Sequence, residues 1–250
     1  MTQQSARDSP PATVVTKNPE EMRLKLKQYL RETLVPLLQY NGNVSIGVSG
    51  GSMPNLLADV FSSIDWRMDW SRIKIFMVDE RLVPPSDPEC TYAQYVNLLP
   101  QHMKACVIPL NLQDTPQRTS LEYERQLLAE IVPEKVGKVP RFDLLFLGMG
   151  PDGHTASLFP GHRLARFQGD VLHWLYWLDD SPKPPSTRVT LMPNTINMAK
   201  NVAFIITGEN KADVVKSVVM ERDPAYPSSL VKPMSGKLKF FLDEAAASKL

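Results

Sequence analysis

The apolar positions of this chain recur at two spacings, helical in some stretches and alternating in others, and the spacing changes at glycines, prolines and asparagines. Met22, Leu26, Tyr29, Leu30, Thr33, Leu34 and Leu37 fall on one face of a helix. Ahead of them Asn18 offers a cap, Pro19 presets the first helical φ and Glu21 suits the positive helix end, so the pattern predicts a helix over 18–39. Asn41 and Gly42 stop it. Val44, Ile46 and Val48 then alternate as a strand does, and this strand runs into Ser49, Gly50, Gly51 and Ser52. A helix over 55–62 follows, then an apolar run over 73–78 that ends at Asp79, Glu80 and Arg81.

The alternation continues to the end of the chain. Helices are predicted over 91–99, 116–131 and 209–220, with an Ala-rich helix at the C-terminus. Strands are predicted over 106–108, 142–147, 171–178, 188–191, 201–207 and 237–241. Strands interleaved with helices favour a parallel sheet covered on both faces, so the expected class is α/β. No composition shift or flexible linker divides the halves. The expected organisation is a single domain over 14–250, with 179–187 a proline-rich surface loop and residues 1–13 a frayed polar tail. That tail has neither the apolar stretch of a secretory signal nor the Arg-rich pattern of a transit peptide.

Composition narrows the function classes. The 250 residues are 43% hydrophobic and 22% charged, enough for a sizeable core. Twenty-eight Lys and Arg against 27 Asp and Glu leave a formal net charge of +1, which supplies no field for steering onto nucleic acid or an anionic membrane. Neither is expected as a partner. No apolar run reaches the roughly 18 residues of a membrane-spanning helix. Cys90 and Cys106 are too few for a disulfide framework or a paired-cysteine zinc site and fit a reducing compartment, so a cytoplasmic location is expected.

Ligands of open parallel sheets bind beyond the carboxyl ends of the strands, and the unusual residues lie there. The VSGGSMP loop places Ser49, Gly50, Gly51 and Ser52 ahead of a helix, where backbone N–H groups can cradle an oxyanion, although Gly-Gly after a strand also serves as a plain tight turn. Its glycine spacing is that of neither nucleotide-binding loop. Arg81 can grip a phosphate or carboxylate, or form a surface ion pair with Glu80 or Asp87. Lys211 stands in the first turn of a helix, where a cation is disfavoured unless an anion is near. Asp79 can orient a base, take a proton or cap a helix.

GMGPDGHTASLFPGH is the most informative stretch. Gly148, Gly150 and Gly153 surround Asp152 and His154, and an imidazole with an ordinary pKa of about 6.5 can take a proton from water at neutral pH. A lone histidine is ordinarily structural, but a glycine-rich loop directly after a buried strand favours catalysis. Asp152 can orient the ring or the substrate. His154 with His162 makes no metal-ligand spacing, and Ser157 lacks the glycine of a nucleophile elbow. The aromatic run over 173–177 reads as a buried strand.

SGGS, FMVDERLVP, FDLLFLGMGPDGHTASLFPGH, DSPKPPSTRVTLMP and TGENKA, in this order over 49–212, with FFLDEAA near the C-terminus, resemble the 6-phosphogluconolactonase family, part of a wider group that includes glucosamine-6-phosphate deaminase. The GPDGHTASLFP and SPKPP segments lean toward the lactonase branch. The resemblance implies a three-layer α/β/α sandwich with a mostly parallel Rossmann-like sheet. It implies no cofactor, and a phosphosugar lactone as substrate, hydrolysed in the oxidative pentose phosphate pathway; no metal is expected, from the histidine spacing above. By motif, His154 becomes the general base and Asp152 supports its loop. Ser49, Gly50, Gly51, Ser52, Arg81 and Lys211 hold the phosphate, and Asp79, Lys183 and Arg188 are further substrate-binding positions. Departures are small: Met53, and Cys90 with Thr91 in place of the more usual Ser-Asn. An amino-sugar phosphate deaminase shares the phosphate loop and the DGH motif. A non-catalytic sugar-phosphate sensor has no need of His154.

Overall fold

A computed structural model of the chain describes residues 11–39, 42–65, 67–131, 140–166 and 173–250. β1 (Ala12–Thr16) leads into α1 (Pro19–Leu38), where the Glu21 amide donates to the Asn18 side chain at 2.9 Å, the cap expected from the sequence. β2 (Val44–Val48), α2 (Met53–Ser62), β3 (Ile73–Met77), β4 (Asp79–Arg81), α3 (Thr91–Leu98), α4 (Gln101–Lys104) and α5 (Pro116–Ile131) complete the first half. The second half carries β5 (Leu144–Leu147), β6 (Leu175–Leu178), β7 (Arg188–Leu191), α6 (Pro193–Met198), β8 (Asn201–Ile206), α7 (Ala212–Lys216) and β9 (Lys237–Asp243).

Six strands form a parallel sheet in the order β1, β9, β8, β5, β2, β3. Strand residues point alternately to the two faces, and both faces are buried, which is why β5 and β8 are apolar at nearly every position. Leu144, Phe146, Ala203 and Ile205 pack with Leu26, Leu30 and Leu34 of α1 and Leu57 and Phe61 of α2. Leu145, Leu147, Val202, Phe204 and Ile206 pack on the other side with Tyr123 and Leu127 of α5 and Val215 of α7. The result is the expected three-layer α/β/α sandwich.

The other three strands correct the sequence reading. β4, β7 and β6 form a separate antiparallel sheet, not part of the parallel one. β6 and β7 are joined by the short 179–187 loop, and a parallel pair needs a crossover too long for it. At Val78 the chain changes partners: its amide donates to Val48 O and its carbonyl accepts from the Leu191 amide. Residues 106–108 make one bridge, Ile75 to Val107, instead of a strand. The strand expected over 171–178 begins at Leu175, and 171–172 lie outside the described residues. The helix expected over 209–220 is a 3-10 turn, then α7, then a π turn. The Ala-rich residues 244–249 make turns in place of the expected helix, with the Ala246 amide drawn to the Asp243 carboxylate at 2.8 Å. Of the expected tail, Ala12 and Thr13 belong to β1, and residues 1–10 lie outside the described residues.

β2 has β3 on one side and β5 on the other. The chain runs from β2 to β3 and returns later to the opposite side, so the loops leaving the carboxyl ends of β2 and β5 part at a crevice.

Candidate active site

The loop after β2 is built from backbone. The Ser49 amide donates to Phe146 O at 3.2 Å, its hydroxyl accepts from the Gly148 amide at 3.3 Å and its carbonyl accepts from Tyr95 Oη at 3.0 Å. Ser49 therefore stitches the two crevice loops together. A Cβ on Gly50 would stand 2.7 Å from Thr91 Oγ1 at the start of α3, so the loop packs there only as glycine. Gly51 has φ +71°, the left-handed conformation, with open space where a side chain would go. Ser52 precedes α2 without making a side-chain cap.

The loop after β5 presents the imidazole. A Cβ on Gly150 would fall 2.1 Å from His154 Nδ1 and 2.6 Å from Asp152 Oδ1, so the bare backbone makes room for the pair. The Gly150 amide donates to His154 O at 3.0 Å. Gly153 carries φ +76° and packs on Tyr226, while its carbonyl accepts from Ser228 Oγ at 2.9 Å and the Ser228 amide at 3.1 Å. Ala156 also takes a positive φ, 49°, uncommon for a residue with a side chain. His154 Nδ1 lies against Asp152 Oδ1, Asp152 Oδ2 is 3.1 Å from Lys183 Nζ, and Lys183 Nζ is 3.2 Å from His154 Nδ1.

Burial pulls the His154 imidazole below its ordinary pKa; Asp152 and Asp79 oppose this and Lys183 adds to it. Burial pushes the Asp152 carboxyl up, but His154 and Lys183 outweigh it and hold the group below its ordinary value. At neutral pH the ring is therefore neutral, with Nδ1–H donated to Asp152 and Nε2 left as the basic nitrogen.

A second polar group supports the first. Ser157 Oγ donates to Asp79 Oδ2 at 2.7 Å, and Arg188 stands 4.0 Å from the same carboxylate oxygen. Arg188 also donates to the carbonyls of Pro185, Lys183 and Pro184 at 2.9, 2.9 and 3.1 Å, fixing the proline-rich loop that carries Lys183. The Phe159 ring lies between the groups, its centroid 4.8 Å from that of His154 and 5.7 Å from the Arg188 guanidinium carbon.

Arg81 and Lys211 flank this centre. Arg81 pairs with Arg188 in register across β4 and β7, and its guanidinium binds Glu89 Oε2 at 2.8 Å, so its ion-pair partner is neither Glu80 nor Asp87. Its Nε is buried without a hydrogen-bond partner among the described residues. Glu80 instead accepts from the amides of Arg81, Thr91 and Tyr92 at 2.8, 2.9 and 2.7 Å; burial pushes its carboxyl up to about 7 against their pull. Burial lowers the Lys211 ammonium, with Asp243 opposing and Lys183 adding. Asp243 also accepts from the Gly208 amide at 3.1 Å, holding the turn that carries Lys211. Among the described residues no group of three or more His, Cys, Asp or Glu could hold a metal ion, and His162 binds Asp180 at 3.0 Å.

Residues 17–240 match the family model for glucosamine-6-phosphate isomerases/6-phosphogluconolactonase. The chain belongs to this family. A putative 6-phosphogluconolactonase of Caenorhabditis elegans is 44% identical over 240 residues, 95% of this chain and 88% of that one. The 6-phosphogluconolactonase of Rattus norvegicus is 36% identical over 256 residues, 98% and 96% of the two chains. Among solved structures, the Trypanosoma brucei 6-phosphogluconolactonase superposes with a TM-score of 0.78 at 28% identity, covering 97% of this chain and 100% of that one. A monomeric glucosamine-6-phosphate deaminase shares the fold at a TM-score of 0.73 and 18% identity.

Of the residues singled out in this family member from sequence, His154, Asp152 and Lys183 touch, and Asp79 and Arg188 meet through Ser157. Ser49 to Ser52 make up the neighbouring loop, whereas Arg81 pairs with Glu89 and Lys211 lies in the opposed fields of Asp243 and Lys183. Ser157, Phe159, Glu80 and Asp243 are the positions sequence reasoning missed. Ser157 and Phe159 sit inside the His154 motif and were legible as neighbours. Asp243 acts from a strand remote in sequence, and nothing local marks it.

Proposed function

We propose that the chain hydrolyses 6-phospho-D-glucono-1,5-lactone to 6-phosphogluconate, with His154 as general base. The observation that carries the reading is the His154 imidazole held against Asp152 on a glycine loop at the sheet's topological switch point. The names of its relatives and the lactonase-type DGH and SPKPP segments point the same way. His154 Nε2 removes a proton from water as the oxygen attacks the lactone carbonyl. The tetrahedral adduct then expels the ring oxygen, and the imidazolium returns the proton to it. One water is consumed and one carboxylic acid formed, with no step that calls for a cofactor. A lactone already holds a competent leaving group, so positioning and one base, worth roughly 10² to 10⁴, suffice.

The 6-phosphate is a dianion, costly to desolvate, and needs several donors. The N–H groups of Gly50, Gly51 and Ser52 and of the first turn of α2 favour an anion, the Ser49 amide being taken by Phe146 O, and Arg81 and Lys211 bring charge. The buried, unpartnered Arg81 Nε supports this assignment. Asp79 and Arg188 shape the wall of the site through Ser157. No helix among the described residues is long and apolar enough to cross a membrane, and the free Cys90 and Cys106 suit the reducing cytosol.

The deciding experiment offers both family substrates. Acid release from the phosphorylated lactone should exceed spontaneous hydrolysis, with no ammonia from glucosamine 6-phosphate. Ammonia without lactone acceleration would make the chain a deaminase, and neither activity would leave a sugar-phosphate sensor.

A further inference from the structure

Lys183 lies too near the reacting imidazole to be only one more phosphate ligand. Its main chain is held by three hydrogen bonds from two side chains. Arg188 and Ser181 Oγ donate to its carbonyl at 2.9 and 2.8 Å, and its amide donates to Ser181 Oγ at 3.3 Å. From this fixed base the side chain reaches across to the DGH loop and delivers its ammonium 3.1 Å from Asp152 Oδ2 and 3.2 Å from His154 Nδ1. Two nitrogens that both carry protons cannot bond to each other, so with Nδ1–H donated to Asp152 the ammonium bonds to the other carboxylate oxygen. Asp152 is thus shared between a ring and the Lys183 side chain.

We propose that Lys183 is a positioning residue that acts through the Asp152–His154 pair: its ammonium locks the carboxylate so that Nδ1 stays the donor, and its charge opposes a second proton on the ring. The inference rests on His154 being the base. The groups facing the imidazole are Asp152 on its own loop, Lys183 on the proline-rich loop, Asp79 on β4 and the Phe159 ring with Arg188 beyond it; Lys211 faces Lys183. Asp152 and Asp79 invite a proton, and of the cations Lys183 alone is in contact with Nδ1. Removing it both deletes a repelling charge and frees the full negative charge of Asp152 to act on the ring, and the two effects have the same sign. A ring kept neutral is ready to accept a proton from water, and once protonated it gives that proton up more readily to the departing ring oxygen.

The test reads the ring directly. The His154 ring resonances, assigned by their loss in H154Q, are titrated by NMR without substrate in the wild-type chain, K183M, K183Q and K183R. The expected result is that K183M and K183Q titrate at higher pH than wild type, while K183R, which keeps the charge, follows wild type. In kcat/KM profiles, at a pH on the acid limb, K183M should retain a roughly ten-fold smaller fraction of its own plateau than wild type does. This should hold for both the phosphorylated and the unphosphorylated lactone. Unchanged titration in K183M, with a raised KM for the phosphorylated substrate alone, would make Lys183 a phosphate ligand and overturn the proposal. Equal shifts in K183M and K183R would reduce it to packing and overturn it too. If the ring titrates as expected but neither lactone shows an acid limb, the Lys183 coupling stands and the general-base reading falls.

Discussion

Two aspartates at opposite ends of the same sheet use similar partners to different ends. Asp143, at the amino end, accepts from the Ser45 amide and hydroxyl at 2.9 and 3.2 Å and from Lys200 Nζ at 2.6 Å, while its carbonyl takes Asn201 Nδ2 at 2.9 Å. Its side chain is only 10% exposed, and its contacts tie together the starts of β2, β5 and β8. Asp152, at the carboxyl end, is 36% exposed, stands on a glycine loop, and divides its oxygens between an imidazole and an ammonium. Each carboxylate meets a lysine ammonium, so the lysine does not set them apart. The other donors to Asp143 are the Ser45 amide and hydroxyl, which keep their protons, and that cluster is a staple; Asp152 has instead the His154 imidazole, a partner whose proton can move.

If that distinction is right, the largest effect belongs to the ring. H154Q should lower kcat by roughly 10² to 10⁴ while the phosphorylated product still binds, as measured by steady-state kinetics and calorimetry. Because His154 titrates below its ordinary value, the neutral, active form persists below pH 6.5, and the acid limb of kcat/KM should lie under that pH. A kcat/KM profile with its acid limb above pH 6.5, or with no acid limb at any pH at which the chain stays folded, would break the assignment. G150A comes next: the new methyl must displace the His154–Asp152 pair, and a misplacement of about 1 Å costs roughly 10²-fold in rate. Unaltered turnover in this variant would show that the pair is not held by the loop.

Smaller still are R81A and K211A. Loss of a charge-assisted bond worth about 1.5–3 kcal/mol should raise KM for the phosphorylated lactone roughly ten- to hundred-fold and scarcely touch the unphosphorylated one. Equal losses on both substrates would move these residues from the phosphate to the reacting carbonyl or the fold. The smallest effect on catalysis is expected at the other end of the sheet. D143A should cost about 2 kcal/mol of stability by stranding the Ser45 amide, visible in a urea melt, with kcat/KM of the folded enzyme unchanged. A catalytic defect there would erase the contrast between the two clusters.

The parallel sheet was readable because its strands are buried on both faces and stand out as short apolar runs between helical stretches, as with Leu144 to Leu147. The site loops were readable because strand ends concentrate glycine and charge. The small antiparallel sheet was not: Arg188 and Val189 look like any buried strand, and only their pairing with Arg81 and Glu80 places them. Pairing across so many residues leaves no local periodicity. The same holds for the Arg188 grip on the Lys183 loop and for Asp243 at the Gly208 turn, both side chain to backbone contacts made only once the chain is folded.

β1 is hydrogen-bonded only to β9 within the sheet. Ala12 pairs with Lys239, so during synthesis β1 must wait for a strand far along the chain, and pairing over such a separation is the slow kind of contact. β9 also ends in Asp243, whose carboxylate holds the turn before Lys211. A nascent chain stopped just short of Lys237 would lack at once the seam between β1 and β8 and the support for Lys211, one of the two cations proposed to grip the phosphate. The proposed phosphate grip is completed only once β9 has been made and paired, so a chain cut short before that strand should be a poor binder of the substrate.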